Sequence, residues 1–244
     1  MILNFAHRGF SGRYPENTML AYEKAVEAGC DGIELDVHLS ADGEPVLIHD
    51  ERVDRTSDGV GFVGRMTLKE LRALDVSAAF RGQYGVNRVP TLREYLAFAK
   101  DAGIMTNIEL KTGVYTYPGI EAKTLELIDE FGLRDKILFS SFNHYSVKRM
   151  QALAPEMTYG LLEESRVIGL PDYTAAQHVQ AVHPEYHMVD EEFMESARNH
   201  GLLVNVWTVN TEYAMRRLAA LGVDMMIGNN PDICTAFLKS LKQS

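Results

Sequence analysis

Two carboxylates one position apart, Glu34 and Asp36, stand in the stretch Cys30-Asp31-Gly32-Ile33-Glu34-Leu35-Asp36-Val37-His38. Side chains alternate along a β-strand, so these two share one face while Ile33, Leu35 and Val37 share the other. Neighbouring carboxylates repel, and burying them without a counter-charge is costly, so a buried strand here calls for a cation between them. The same alternation is also the ordinary signature of a half-exposed antiparallel strand whose acids simply face water. The pattern by itself leaves both readings open.

A third carboxylate, Glu109, sits in Asn107-Ile108-Glu109-Leu110-Lys111. Glu34, Asp36 and Glu109 are hard oxygen donors, suited to Mg2+ or Ca2+ and not to a thiolate-loving metal. Their three negative charges, set against a divalent ion and the cations Arg8 and Lys111, leave the neighbourhood at about +1, a sign that attracts a phosphate anion. His7 and His49 have unperturbed pKa values near neutrality, so one can accept a proton while the other donates one. Such a pair beside a Lewis-acidic ion suits displacement at phosphorus, where charge builds on oxygen and a poor alkoxide leaves. The chemistry points to phosphodiester cleavage.

The elements that must position these groups alternate regularly. Ile2 to Ala6 reads as a buried first strand ending in His7-Arg8-Gly9, and Asn17 or Thr18 caps a helix that closes at Gly29. Gly32 to Val37 is the second strand. Ser40-Ala41-Asp42-Gly43 turns into Pro45-Val46-Leu47-Ile48-His49-Asp50, a hairpin extension. Glu51 to Arg88 is irregular and Gly-rich, with one short amphipathic stretch at Thr67 to Leu74; Thr91 then caps a helix running to Gly103. Further strands are expected at Met105–Leu110, Ile137–Ser141, Thr158–Leu162, Gln180–His183, Leu203–Val206 and Asp224–Ile227, with a last helix from about Asp232 to Leu241. Eight strands alternating with helices predict an α/β fold, a closed (β/α)8 TIM barrel, and no Gly-x-Gly-x-x-Gly follows the first strand to favour a dinucleotide fold.

In such a barrel the site lies at the C-terminal ends of the strands. His7, Arg8, Glu34, Asp36, His49, Glu109 and Lys111 all fall there, with Ser140, Ser141, Asn143, Glu163, His183, Trp207 and Asn210. Singly, each has a plainer explanation: His49 as a partly buried structural ring, Trp207 as core, Asn210 as a helix cap. Three carboxylates, two histidines, an arginine and a lysine on one rim are not explained by solvation.

A length of 244 residues with 46% apolar and 24% charged residues is that of an ordinary globular chain, and the formal net charge of −10 argues against a nucleic-acid partner. It leaves room for a small anionic substrate, because surface charges are screened beyond about 8–10 Å. Cys30 and Cys234 fit no metal-clip or disulfide pattern and read as buried thiols in a reducing, cytoplasmic setting. There is no apolar run of membrane-spanning length, and nothing in the sequence marks an oligomeric contact.

The ordered combination of motifs resembles the glycerophosphodiester phosphodiesterase family. It comprises His7-Arg8-Gly9 with Pro15-Glu16-Asn17-Thr18, Gly32 to Val37, Pro45 to Asp50 with Asp54-Arg55-Thr56, Pro90-Thr91-Leu92, Asn107 to Lys111, Ser140-Ser141-Phe142-Asn143 and Trp207-Thr208-Val209-Asn210. The resemblance implies one barrel domain over residues 1–244 with a small insertion at about 38–88. It implies His7 and His49 as the acid/base pair, Glu34, Asp36 and Glu109 as ligands of one divalent cation (Mg2+ or Ca2+), and Arg8 and Lys111 on the phosphate. Glu16 and Asn17 would support the ligand ring and Trp207 would line the pocket. The implied reaction is hydrolysis of a small phosphodiester, such as glycerophosphocholine or glycerophosphoethanolamine, to an alcohol and sn-glycerol 3-phosphate. One departure is Gly228-Asn229-Asn230-Pro231, where the family carries Thr at the position of Gly228. A lysophospholipase D-like activity ranks second, because the loops Val60 to Val63 and Tyr115 to Tyr117 are only modestly apolar. A non-catalytic phosphodiester-binding protein would show a missing catalytic residue, and none is missing.

Overall fold

The protein is described here by a computed structural model covering residues 1–242. The chain opens with β1 (Leu3–His7), α1 (Met19–Glu27), β2 (Gly32–Leu39) and the short β3 (Pro45–Leu47), which folds back antiparallel on β2. After α2 (Leu68–Leu71) and α3 (Leu92–Ala102) come β4 (Met105–Leu110), α4 (Ile120–Phe131), β5 (Ile137–Ser141), α5 (His144–Leu153), β6 (Thr158–Glu163) and α6 (Leu170–Ala176). The chain ends with β7 (Ala181–Pro184), α7 (Glu191–Asn199), β8 (Leu203–Val206), α8 (Glu212–Leu221), β9 (Met225–Gly228) and α9 (Pro231–Leu241). Strands β1, β2 and β4 to β9 run parallel, and β1 pairs with both β2 and β9, so the sheet closes. This is a (β/α)8 barrel carrying one extra strand.

Local sequence explains the element ends. Thr18 caps α1 by accepting from Ala21 N, and Thr91 with Glu94 forms a capping box at α3, whose C-terminus stops at Gly103 in the left-handed conformation. Thr67 and Glu70 do the same for α2, which shortens the expected Thr67 to Leu74 stretch to a single turn. Between β3 and α3, Val53, Val63, Leu71 and Val76 pack with Val46, Ile48 and Val89 into a small core of their own. Among the described residues no helix is long and apolar enough to cross a membrane.

Strand alternation then makes two environments. Ile33, Leu35, Val37, Ile108 and Leu110 face outward and pack with Tyr22, Tyr95 and Leu96 of the helices, each such side chain gaining roughly 1.5–3 kcal/mol from burial. The opposite face points into the barrel, where Phe5, Leu138, Met225 and Ile227 fill the lower end. All eight residues of β2 are buried. The half-exposed antiparallel reading of Glu34 and Asp36 is therefore wrong: their strand is central in a parallel sheet, and the alternation separates a helix-packed face from a barrel interior.

His183 is also displaced from its expected place at the rim. It is fully buried inside the barrel, where Asn205 Nδ2 donates to its Nε2 at 2.8 Å, and Gly160 makes the space, since a Cβ there would stand 2.3 Å from that nitrogen. Burial drives its pKa down to about 3, against about 6.5 in an unfolded chain. A ring held neutral in the fold contributes stability above the unfolded value and loses it as pH falls. From pH 7 to pH 5 we expect this ring to cost about 2 kcal/mol, read as a falling urea midpoint, and His183→Gln to remove that part of the slope.

Candidate active site

Strand register assembles the charged residues. His7 on β1 stands opposite Glu34 on β2, and Asp36 stands opposite Glu109 on β4. The three carboxylates are buried and offer oxygens within 4.8 Å of one another. Lys111 Nζ donates to Glu109 Oε1 at 2.8 Å and lies 3.7 Å from Asp36 Oδ1, which has no hydrogen-bond partner despite being buried. Burial, then the nearby Asp36 and Glu109, push Glu34 well above the usual carboxylate range. Glu109 is also raised, by burial against the pull of Lys111. For Asp36 burial acts upward but His49, Arg8 and Lys111 outweigh it and hold the group down. Two fixed cations against three carboxylates leave one negative charge over, and a bare carboxylate oxygen with it. This donor set fits a hard divalent cation.

The loop after β1 supplies the rest of the cradle. Arg8 donates from its backbone N to Glu34 Oε2 at 3.0 Å and from Nη1 to Glu16 Oε1 at 2.9 Å, and its Nε lies 3.4 Å from Asp36 Oδ2. Asn17 leaves the helix cap to Thr18 and donates from Nδ2 to Asp36 Oδ2 at 2.8 Å, while Tyr22 Oη donates to its Oδ1. Arg8 and Asn17 both hold positive φ, 55° and 53°. For residues with a side chain that conformation costs roughly 1–3 kcal/mol, and it persists where the surroundings over-determine it.

Both candidate histidines have one ring nitrogen tied and the other turned to the site. His7 Nδ1 lies 2.7 Å from Asn229 Oδ1. An amide oxygen can only accept, so Nδ1 carries the proton and Nε2 is bare; it lies 3.9 Å from Glu34 Oε2. Burial, then the Arg8 charge, lower His7 to about 3. His49 Nδ1 donates to Asp50 Oδ1 at 2.6 Å, and its Nε2 accepts from Lys111 Nζ at 3.2 Å. Beneath it, His38 Nε2 donates to the His49 carbonyl at 3.0 Å and its Nδ1 accepts from Tyr117 Oη at 3.0 Å.

His7, Arg8, Glu34, His49 and Glu109 line a narrow cavity of about 40 Å3 with Asn107, Ser140, Leu162 and Trp207. It shares Arg8, His49, Glu109, Phe142 and Trp207 with a wider hollow of about 530 Å3 that reaches Glu51, Val114 and Glu164. Trp207 donates from its indole nitrogen to the His183 carbonyl at 2.9 Å and meets Phe142 edge to face at 5.5 Å.

His7, Arg8, Glu34, Asp36, His49, Glu109, Lys111, Asn17 and Trp207 thus fall in or beside one cluster, with Glu16 set back from the carboxylates and holding Arg8. Glu163 is turned away and accepts from the backbone of Glu164 and Ser165. Asn210 is no helix cap, since Thr211 caps α8; its Oδ1 accepts from Asn229 N. Gly228 has a local reason: a Cβ there would stand 2.2 Å from the Val209 carbonyl oxygen. The orienting roles of Asp50 and Asn229 were missed. For Asp50 the His-Asp dipeptide was a usable signal; for Asn229, 222 positions from His7, nothing local was.

The sequence profile of the glycerophosphoryl diester phosphodiesterase family matches residues 7–233. The chain is 39% identical over 230 residues to the glycerophosphodiester phosphodiesterase of Caldanaerobacter subterraneus subsp. tengcongensis, covering 94% of this chain and 95% of that one. It is 38% identical to a glycerophosphodiester phosphodiesterase of Bacillus altitudinis over 98% of both chains. Among solved structures it is similar to a phosphodiesterase of Oleispira antarctica in complex with the product sn-glycerol-3-phosphate. The TM-score there is 0.87 at 29% identity, covering 97% of this chain and 96% of the other. With the profile running from the first histidine of the site to the start of the last helix, the chain belongs to the glycerophosphoryl diester phosphodiesterase family.

Proposed function

We propose that this protein hydrolyses glycerophosphodiesters, glycerophosphocholine and glycerophosphoethanolamine among them, to an alcohol and sn-glycerol 3-phosphate, with one Mg2+ or Ca2+ held by Glu34, Asp36 and Glu109. The observation that carries this reading is the pair of histidines whose Nε2 atoms face a buried three-carboxylate cluster while Nδ1 of each is held by a separate partner. Close relatives that bear the name of this activity support it. In this reading residues 1–244 act as a single barrel unit with the insertion at about 38–88 as one wall of the site. The two free, buried thiols, Cys30 and Cys234, fit a cytoplasmic setting.

When bound, the cation supplies Lewis-acid polarisation of a phosphoryl oxygen. The chain does the rest. Arg8 and Lys111 hold the phosphate oxygens by charge-assisted hydrogen bonds, and Asn17 and Glu16 keep Asp36 and Arg8 in place for that task. One histidine, neutral with Nε2 bare, takes the proton of the attacking hydroxyl as its oxygen bonds to phosphorus. The other, which must enter the step with a proton on Nε2 as well as on Nδ1, gives that proton to the alkoxide as its bond to phosphorus breaks. Trp207 and Phe142 form the apolar wall of the hollow in which the non-phosphate portion of the diester lies.

Release of sn-glycerol 3-phosphate from glycerophosphocholine by chelator-stripped protein, with Mg2+, Ca2+ or neither added back, tests the reading. Product is expected only with a divalent ion. No product from either diester with either ion would favour a binding protein, and faster turnover of lysophosphatidylcholine would put the lipid substrate first.

A further inference from the structure

Arg55 lies outside the carboxylate cluster, half-exposed in the segment after β3, and its guanidinium holds two carboxylates at once. Nε and Nη2 donate to Asp50 Oδ2 and Oδ1 at 2.7 and 2.9 Å, and Nη1 and Nη2 donate to Glu16 Oε2 and Oε1 at 2.9 and 2.8 Å. Each carboxylate is in turn the partner of a different site residue. Asp50 Oδ1 accepts from His49 Nδ1 at 2.6 Å, and Glu16 Oε1 accepts from Arg8 Nη1 at 2.9 Å. Two chains of charge-assisted hydrogen bonds therefore leave one guanidinium and end on His49 and on Arg8.

A bidentate ion-pair network adds some stability, but that does not account for where these arms end. Arg52, three residues earlier and similarly exposed, makes a two-pronged contact with Asp54 that leads to no site residue. A planar fork is also what the double contact needs, since a lysine ammonium on a single stem is a point charge.

We propose that Arg55 is a positioning residue for the reaction, fixing the His49 imidazole through Asp50 and the Arg8 guanidinium through Glu16, and so setting one relative to the other. This rests on the phosphodiesterase reading above. Removing such a support typically lowers activity about 10–100-fold. We therefore expect Arg55→Ala to reduce kcat/KM by about 10–100-fold, Arg55→Lys to fall between it and the parent, and Arg52→Ala to leave the rate unchanged. Because Arg55 acts through Asp50, Asp50→Asn should cost less in the Arg55→Ala background than alone.

A readout that needs no turnover separates this inference from the function itself. In 15N-labelled protein the ring-nitrogen signals of His49, assigned by their loss in His49→Asn, are expected to shift in Arg55→Ala and to stay fixed in Arg52→Ala. A protein that releases no product but shows this shift would overturn the function and keep the clamp. Unshifted His49 signals, parental kcat/KM in Arg55→Ala, or additive losses with Asp50→Asn would overturn the clamp. Should Arg55→Ala fail to fold, Arg55→Lys carries the same comparisons, and parental signals and rate there would overturn it.

Discussion

Alanine at His7 or at His49 is expected to lower kcat by about 100- to 10,000-fold, the usual contribution of a positioned acid or base, with circular dichroism and thermal melting close to the parent's. The two sites should respond alike in rate although their surroundings differ. His7 is the more enclosed, tied to Asn229 and lowered by burial and Arg8, whereas His49 is partly open to solvent and tied to Asp50. Both sit at strand ends and not in the packed layers, so truncation removes chemistry before it removes core. Combining the two substitutions should add little, because each alone already removes half of a two-proton process. Steady-state rates of sn-glycerol 3-phosphate release measure this; full turnover in both single variants would remove the roles assigned to them.

The second large effect separates the three carboxylates from one another. Replacing any of them by its amide is expected to cost about 100-fold or more in turnover, as several kcal/mol of charge stabilisation would, and to abolish the rise in melting temperature that Mg2+ or Ca2+ produces in the parent. Without metal the signs should diverge. Glu34 is buried beside Asp36 and Glu109 and pushed upward, so its ionisation destabilises the metal-free fold, and Glu34→Gln should melt higher than the parent. Asp36 is held down by Arg8, Lys111 and His49 against burial, so Asp36→Asn leaves cations unpaired and should lose about 3–5 kcal/mol. The pH dependence follows. A carboxyl raised in the fold binds its proton more tightly there, so stability falls as pH rises above the unfolded value near 4.3. In chelator the gap between Glu34→Gln and the parent should be wide at pH 8 and nearly closed at pH 4. Melting curves with and without ion at both pH values decide it; equal effects of Glu34→Gln and Asp36→Asn in chelator would contradict this charge balance.

Much of this was legible in the residues alone. Buried parallel strands read as short apolar runs, and the polar residue that ends each run marks the rim, which is why strands such as Met105–Leu110 and Ile137–Ser141 stand where expected. Thr91, read as a cap, announced α3, and the structure adds Glu94 as its partner in a capping box. What stayed hidden was depth and distance. Inward-facing positions recur all the way down a barrel strand, so His183 and the rim groups look alike in sequence although one lies within the packed interior. Alternation inside a barrel is likewise indistinguishable from alternation at a water face, which left Glu34 and Asp36 ambiguous. Partners such as Asn229 for His7, or Glu16 for Arg55, join segments that only the closed fold brings together.

The link from His7 to Asn229 spans 222 positions and lies just beyond the seam where the first and last strands pair. A chain still emerging from the ribosome, or one whose seam has opened, holds its first histidine without the group that orients it. Such a contact is among the most non-local a chain can make, and because its loop-closure entropy must be met before it forms, we expect it late in folding. Catalytic competence would then be the last property gained in refolding and the first lost in unfolding, and an activity assay would report opening of the ring before spectroscopic signals of helix content changed.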